Sequence, residues 1–206
     1  AYTTQQRHAL AKFLMESLGA KKIPPKSEAA MLRVLAALHE AKADDIFWSR
    51  IVPPYAADVR AAALQALGNA EPATDKRMQA LLTCAAERDF QVVAGALMIL
   101  KKVPANAKNA KHWIKLLEAP DVATQRFAVG KLHGIENAQV AQAMLAQLRH
   151  PDRNLRDEAL HSLRGYAAGR AAVLEELSEA AEVDRAWFLA RALTPVAKEF
   201  TAAQRT

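Results

Sequence analysis

LRHPDRNLRDEALHSL, from Leu148 to Leu163, is the stretch that decides the fold. Its first leucine closes one apolar helix, His150-Pro151-Asp152 interrupts, and a second helix begins at once. A proline disfavours helical geometry in the residue before it. Asp152 or Asn154 can then accept hydrogen bonds from the free N–H groups of the new first turn. Leu155, Leu160 and Leu163 fall on one helical face. The pattern occurs upstream as LLEAPDVATQRFAVGKLHGI, Leu116 to Ile135, with Pro120-Asp121 as the break and Thr124, Val129 and Leu132 as the stripe. Further back come Val92, Leu97 and Leu100, and before them Val59, Leu64 and Leu67. Each set is spaced 0, +5 and +8, and its first members lie 33 (59 to 92), 32 (92 to 124) and 31 (124 to 155) residues apart. A period of this size, each unit being two helices, marks a helical repeat array.

Outward from these repeats, apolar periodicity predicts helices over about 56–69, 75–87, 90–102, 109–119, 122–134, 138–149, 153–167, 170–181 and 184–198. The last carries a weakened stripe of Arg185, Ala190 and Leu193. Residues 1–54 read as irregular N-terminal helices. The first runs from about Thr3 to Leu18, is stopped by Gly19, and is followed by a loop from Lys21 to Pro25. The second runs from about Ser27 to His39 or Ala41, and the third opens on Asp44-Asp45 and ends at Pro53-Pro54. Residues 199–206 form a tail. Nothing alternates with strand period, so the expectation is an all-α chain, one repeat array over 1–206 with its regular part at 55–198.

Composition bounds the class. Of 206 residues, 51% are apolar and 24% charged, which suits closely packed helices and excludes disorder. No apolar run approaches the roughly 18–20 residues of a membrane span. The single cysteine, Cys84, has no internal disulfide partner and sits in Leu81-Leu82-Thr83-Cys84-Ala85-Ala86, the setting of a small buried thiol rather than a nucleophile. That usage fits a reducing compartment, so a cytoplasmic location is expected. The chain begins at Ala1 rather than a methionine, which leaves room for a removed leader or a longer parent chain in which the array is a spacer. A net charge of +6 permits an acidic partner and demands none.

The repeated words, a Pro-Asp break and then Ala-Leu-x-x-Leu, resemble the HEAT-repeat family, and nearest its short-repeat, PBS-lyase-like branch. Asp58 through Gly68, DVRAAALQALG, is the closest copy. Pro151 through Leu163 is next, then Pro120 through Leu132. The Val92 unit departs, with Val93 where an arginine would sit and no proline before it. The resemblance implies a right-handed α-solenoid, a HEAT-like superhelix of about five or six antiparallel helix pairs, with the second helix of each pair lining the concave side. It implies a non-enzymatic scaffold for a protein or peptide partner, without a cofactor. Asp58, Arg60, Asp152 and Arg156 match places where the family forms ladders between units.

Helix geometry says which residues would face that partner. If offsets 0, +1, +4, +5 and +8 are buried, offsets +2, +6, +9 and +10 lie opposite. This face holds Gln65, Met98, Lys101, Lys102, Arg126, His133, His161, Arg164, Trp187 and Arg191. The candidate partner-binding residues are Met98, Lys102, Arg126, His161, Arg164, Trp187 and Arg191, a set that turns basic toward the C-terminus and ends on an aromatic. Trp and Arg are the side chains most enriched at interface hot spots.

Three comparisons bear on chemistry. The deoxyhypusine hydroxylases, HEAT-like, bind two irons through repeated His-Glu pairs, but His39-Glu40 is the one such pair here and cannot hold two metals. It reads as a helix end with Glu40 facing water. HEAT-like DNA glycosylases cradle duplex DNA in a basic groove with aromatic and acidic residues. Trp113, Trp187, Arg126, Arg164 and Arg191 make nucleic-acid binding the second reading, although Trp113 and Trp48 sit in core-like sequence. The phycobilin-lyase branch shares the repeat with no specific catalytic motif in common. Neither a glycine-rich phosphate loop nor a zinc-type Cys/His spacing occurs. Asp121 and Asp152 are read as N-caps, and Gly95 and Gly130, both mid-helix, as points of close helix packing.

Overall fold

The computed structural model describes residues 3–20, 23–68 and 70–199. Among these the backbone forms twelve α-helices and no strand, so the chain is all-α. None of these helices is long and apolar enough to cross a membrane. The chain divides into two compact units, Ala1–Pro104 and Ala105–Thr206. The tail expected at 199–206 lies outside the described residues from 200 onward, as do Lys21 and Lys22 of the expected first loop.

The first unit holds α1 (Thr4–Ala20), α2 (Pro25–Ala37), α3 (Asp44–Arg50), α4 (Ala57–Ala66), α5 (Asp75–Ala85) and α6 (Phe90–Leu100). Here α1 packs on α2, α3 on α4 and α5 on α6, while α2, α4 and α6 pack in succession. Two boundaries differ from expectation. The first helix continues through Gly19 to Ala20, since a glycine in αR geometry weakens a helix without ending it. Pro25 belongs to α2 rather than to the loop, because a proline at the first helical position loses no intrahelical bond. The core is built from Leu32 and Leu35 of α2, Val59 and Leu64 of α4 with Leu67 after it, and Ile99 and Leu100 of α6, all buried. Ala61, Ala62 and Ala63 are buried beside them and keep the helix axes close. Gly95 does the same more severely, for a Cβ there would stand 2.8 Å from the Leu64 Cβ.

The second unit holds α7 (Ala110–Leu116), α8 (Val122–Leu132), α9 (Ala138–Gln147), α10 (Arg153–Arg164), α11 (Ala167–Ser178) and α12 (Val183–Leu193). Here α7 packs on α8, α9 on α10 and α11 on α12; α7, α9 and α11 form one succession and α8, α10 and α12 another. Trp113 of α7 is fully buried and meets Phe127 edge-on, with ring centroids 6.2 Å apart. Thr124 is buried and takes the place of a leucine in its stripe. Its backbone N–H (2.9 Å) and its hydroxyl (3.2 Å) both donate to the Asp121 carboxylate. The tenth helix stops at Arg164 and the eleventh starts at Ala167, three residues earlier than predicted at each side. Gly169 permits that tight turn, since a Cβ there would collide with the Leu163 carbonyl.

The stripes are buried as their spacing requires, apart from three residues. Leu97 is half-buried, and in the weakened last stripe Ala190 is exposed and Arg185 half-buried. The caps follow sequence too. Asp121 accepts from the Thr124 N–H and Asp152 from the Leu155 N–H at 2.8 Å. The repeat without a proline is capped by Asp89, which accepts from the N–H groups of Gln91 (3.0 Å) and Val92 (3.1 Å).

Candidate binding face

The positions placed opposite the buried stripes do reach solvent. In the first unit Gln65, Met98, Lys101 and Lys102 are exposed, and the Lys102 ammonium donates to the Gly68 carbonyl at 2.6 Å. In the second unit Arg126, His133, His161, Trp187 and Arg191 are exposed, and Arg164 is half-buried.

Because α8, α10 and α12 pack in succession, their outer faces form two neighbouring grooves. One, of about 470 Å³, is walled by Val129, Gly130 and His133 of α8 and by Asp157, Glu158 and His161 of α10. In it the imidazoles of His133 and His161 lie parallel, 5.5 Å between centroids and 2° between planes. Arg126, at its edge, donates through Nε to Glu158 Oε1 at 2.9 Å, with a second, very short contact from its Nη2. That hydrogen bond and the carboxylate charge hold the Arg126 guanidinium in its charged form even more firmly than usual. So Arg126 is committed within the molecule.

The other groove, of about 380 Å³, brings together three of the candidate residues, Arg164, Trp187 and Arg191. Arg191 lies over the Trp187 ring at 5.1 Å, within cation–π range. Arg164 Nη2 stands 3.2 Å from His161 Nδ1. Residues that helical offset did not place on this face complete the groove: Arg153, Arg156, Asp157, Leu160 and Phe188. Arg153 was legible, since it sits two residues before Leu155 and so projects from the same side of the helix as offset +2. Phe188 was not, because nothing in its own helix marks it as a groove wall rather than core. Met98 and Lys102 belong to the first unit and are not part of this groove.

Several expected roles are corrected. Glu40 does not face water: its carboxylate meets His8 Nδ1 at 3.1 Å and is 17% exposed. Arg156 makes no rung between repeats. Its Nη1 donates to the carbonyls of His150 (2.7 Å) and Pro151 (2.9 Å), bracing the turn before its own helix, while Asp152 is spent as the cap. Arg60 does reach across, to Glu87. Gly130 is not a packing glycine, for a Cβ there would meet nothing within 4 Å. Two other pairs that join separate helix pairs are spaced near the repeat period, each 32 residues apart: Arg126 with Glu158, and Arg77 with Asp45 at 2.7 Å. The period itself was the signal for these pairs.

Groups that could carry chemistry are placed structurally. Cys84 is fully buried and its Sγ donates to the Ile51 carbonyl at 3.0 Å. Burial, aided by the negative Glu87, pushes its pKa from 9.0 to about 12, so no thiolate is present at neutral pH. Trp113 and Trp48 are core, which removes both as aromatic platforms. Among the described residues no three His, Cys, Asp or Glu side chains are grouped to hold a metal ion. The sequence matches no protein-family model and no curated protein.

Proposed function

We propose that the chain is a HEAT-like array and works as a non-enzymatic scaffold, binding a protein or peptide partner on its concave face, lined by the second helix of each pair. The solenoid reading draws support from the packing order inside each unit, where every succession skips one helix and every pair joins consecutive ones. The functional reading rests on one observation. Arg164, Trp187 and Arg191, picked by helical offset alone, line a single groove, and Trp187 is 62% exposed there. An exposed tryptophan under a guanidinium is an unfilled hot spot in form. A cytoplasmic setting belongs to the same reading and is supported by the lone, buried thiol of Cys84.

The test is affinity capture with the intact chain and with a Trp187→Ala/Arg191→Ala variant. The wild type should retain a protein that the variant loses, while both keep the same helical circular dichroism. Identical captures from both would remove this groove from the binding face. Nucleic-acid binding is the second reading, favoured by the arginine content of the same groove. It requires affinity for duplex DNA that falls steeply with salt, by a log–log slope that counts phosphate contacts, and a gel shift at two salt concentrations reads it directly.

A further inference from the structure

We infer that the groove between α1 and the end of α2 is a binding site for a small phosphate monoester, its dianionic head taken by Arg7 and Lys12 and its apolar body laid on Ala9 and Leu38. The site lies in the first unit and stands apart from the scaffold reading. The groove has a volume of about 710 Å³, within the range of small-molecule sites. Along α1 the side chains of Thr4, His8 and Lys12 follow one another at four-residue steps and so share one helical face. Arg7 flanks that row, and Ala9 and Leu38 supply the apolar part of the lining.

The charges decide the occupant. Arg7, His8, Lys12 and Glu40 are the ionisable side chains of the lining. Glu40 is turned to His8, whose Nδ1 stands 3.1 Å away, and its side chain is 17% exposed. Arg7 is exposed and meets no carboxylate among the described residues. Lys12 reaches Glu16 at 3.9 Å, but the two side chains are 72% and 67% exposed, and an exposed pair one helical turn apart holds little energy. Two cations therefore face one concave surface. A phosphate monoester brings the matching charge, about −1.5 to −2 at neutral pH, where a carboxylate brings half of it. Its oxygens can accept from the Arg7 fork, the Lys12 ammonium and the Thr4 hydroxyl. Inorganic phosphate would leave Ala9 and Leu38 uncovered, so the head carries an apolar body.

The experiment uses the full chain, isothermal titration calorimetry and amide chemical shifts. The probe is phenyl phosphate, compared with phenol and with inorganic phosphate. Phenyl phosphate should bind at least about tenfold more tightly than either, the equivalent of one charge-assisted contact. Its shifts should gather at residues 4–12 and 38–40, which carry the lining. Arg7→Ala and Lys12→Ala should each weaken binding by about tenfold. Ala9→Glu, which sets a carboxylate on the lining at an exposed helical position, should abolish binding and leave the helical circular dichroism unchanged. Lys26→Ala, which removes an exposed cation of α2 outside the groove, should change nothing. No heat with millimolar phenyl phosphate, equal affinity for phenol or inorganic phosphate, unaltered binding in both Arg7→Ala and Lys12→Ala, or an equal loss from Lys26→Ala would each overturn the inference. The scaffold reading is tested at Trp187 and Arg191, so neither result decides the other.

Discussion

Gly95 and Gly130 occupy equivalent-looking places, each in the middle of a helix, yet they should respond to alanine with opposite signs. At Gly95 the new methyl would stand 2.8 Å from Leu64 Cβ, between two packed helices that cannot part without opening the core. Overpacking of this kind costs about 1–3 kcal/mol, more than the helix propensity gained. At Gly130 the methyl meets nothing, so Gly130→Ala should stabilise by about 0.5–1 kcal/mol. Urea midpoints for the two variants measure this; a gain from Gly95→Ala would show that α4 and α6 are further apart than described. Cys84 gives a pH-dependent case. Its folded pKa, about 12, lies above the ordinary 9.0, so the folded chain holds a proton that the unfolded chain releases. The contribution is fully present below pH 9 and is lost as pH rises through 12. Stability should therefore decline over that window, with a shallower decline in Cys84→Ala. The thiol should also resist alkylation at pH 8 until denaturant is added.

At the level of helices, caps and ion pairs do different work. Asp152→Ala removes one cap bond from α10 and should cost about 1 kcal/mol. Asp121→Ala should cost more, because it removes the hydrogen bond from the buried Thr124 hydroxyl as well as the cap bond, and thermal melts of the pair should rank them so. Glu176 of α11 takes Arg149 at 2.8 Å and Arg185 of α12 at 2.9 Å, and these two hydrogen bonds pull its pKa below the usual carboxylate value of 4.5. A lowered folded pKa means that this stabilisation is present above about pH 4.5 and fades as pH falls through the folded value. Glu176→Gln should flatten that acid limb.

For the molecule as a whole, packing partners sit one or two helices apart in each unit, so contacts are local in sequence. Low contact order places the main refolding phase at about milliseconds or faster, which stopped-flow fluorescence of the buried Trp48 and Trp113 would time. A main phase of seconds would contradict that local topology. The same locality explains what one sequence could reveal. Helix positions, the buried stripes and the Asp caps follow from interactions among residues a few places apart. The outward direction of Arg164, Trp187 and Arg191 follows from 100° per residue within a single helix. Their meeting in one groove does not, nor does the capture of Arg126 by Glu158, the diversion of Arg156 to carbonyls, or the difference between Gly95 and Gly130. Each of these depends on the rotation and offset of one helix against the next, set by the shapes of side chains distant in the chain. Periodicity within a helix carries no record of that register, and only the packed structure decides it.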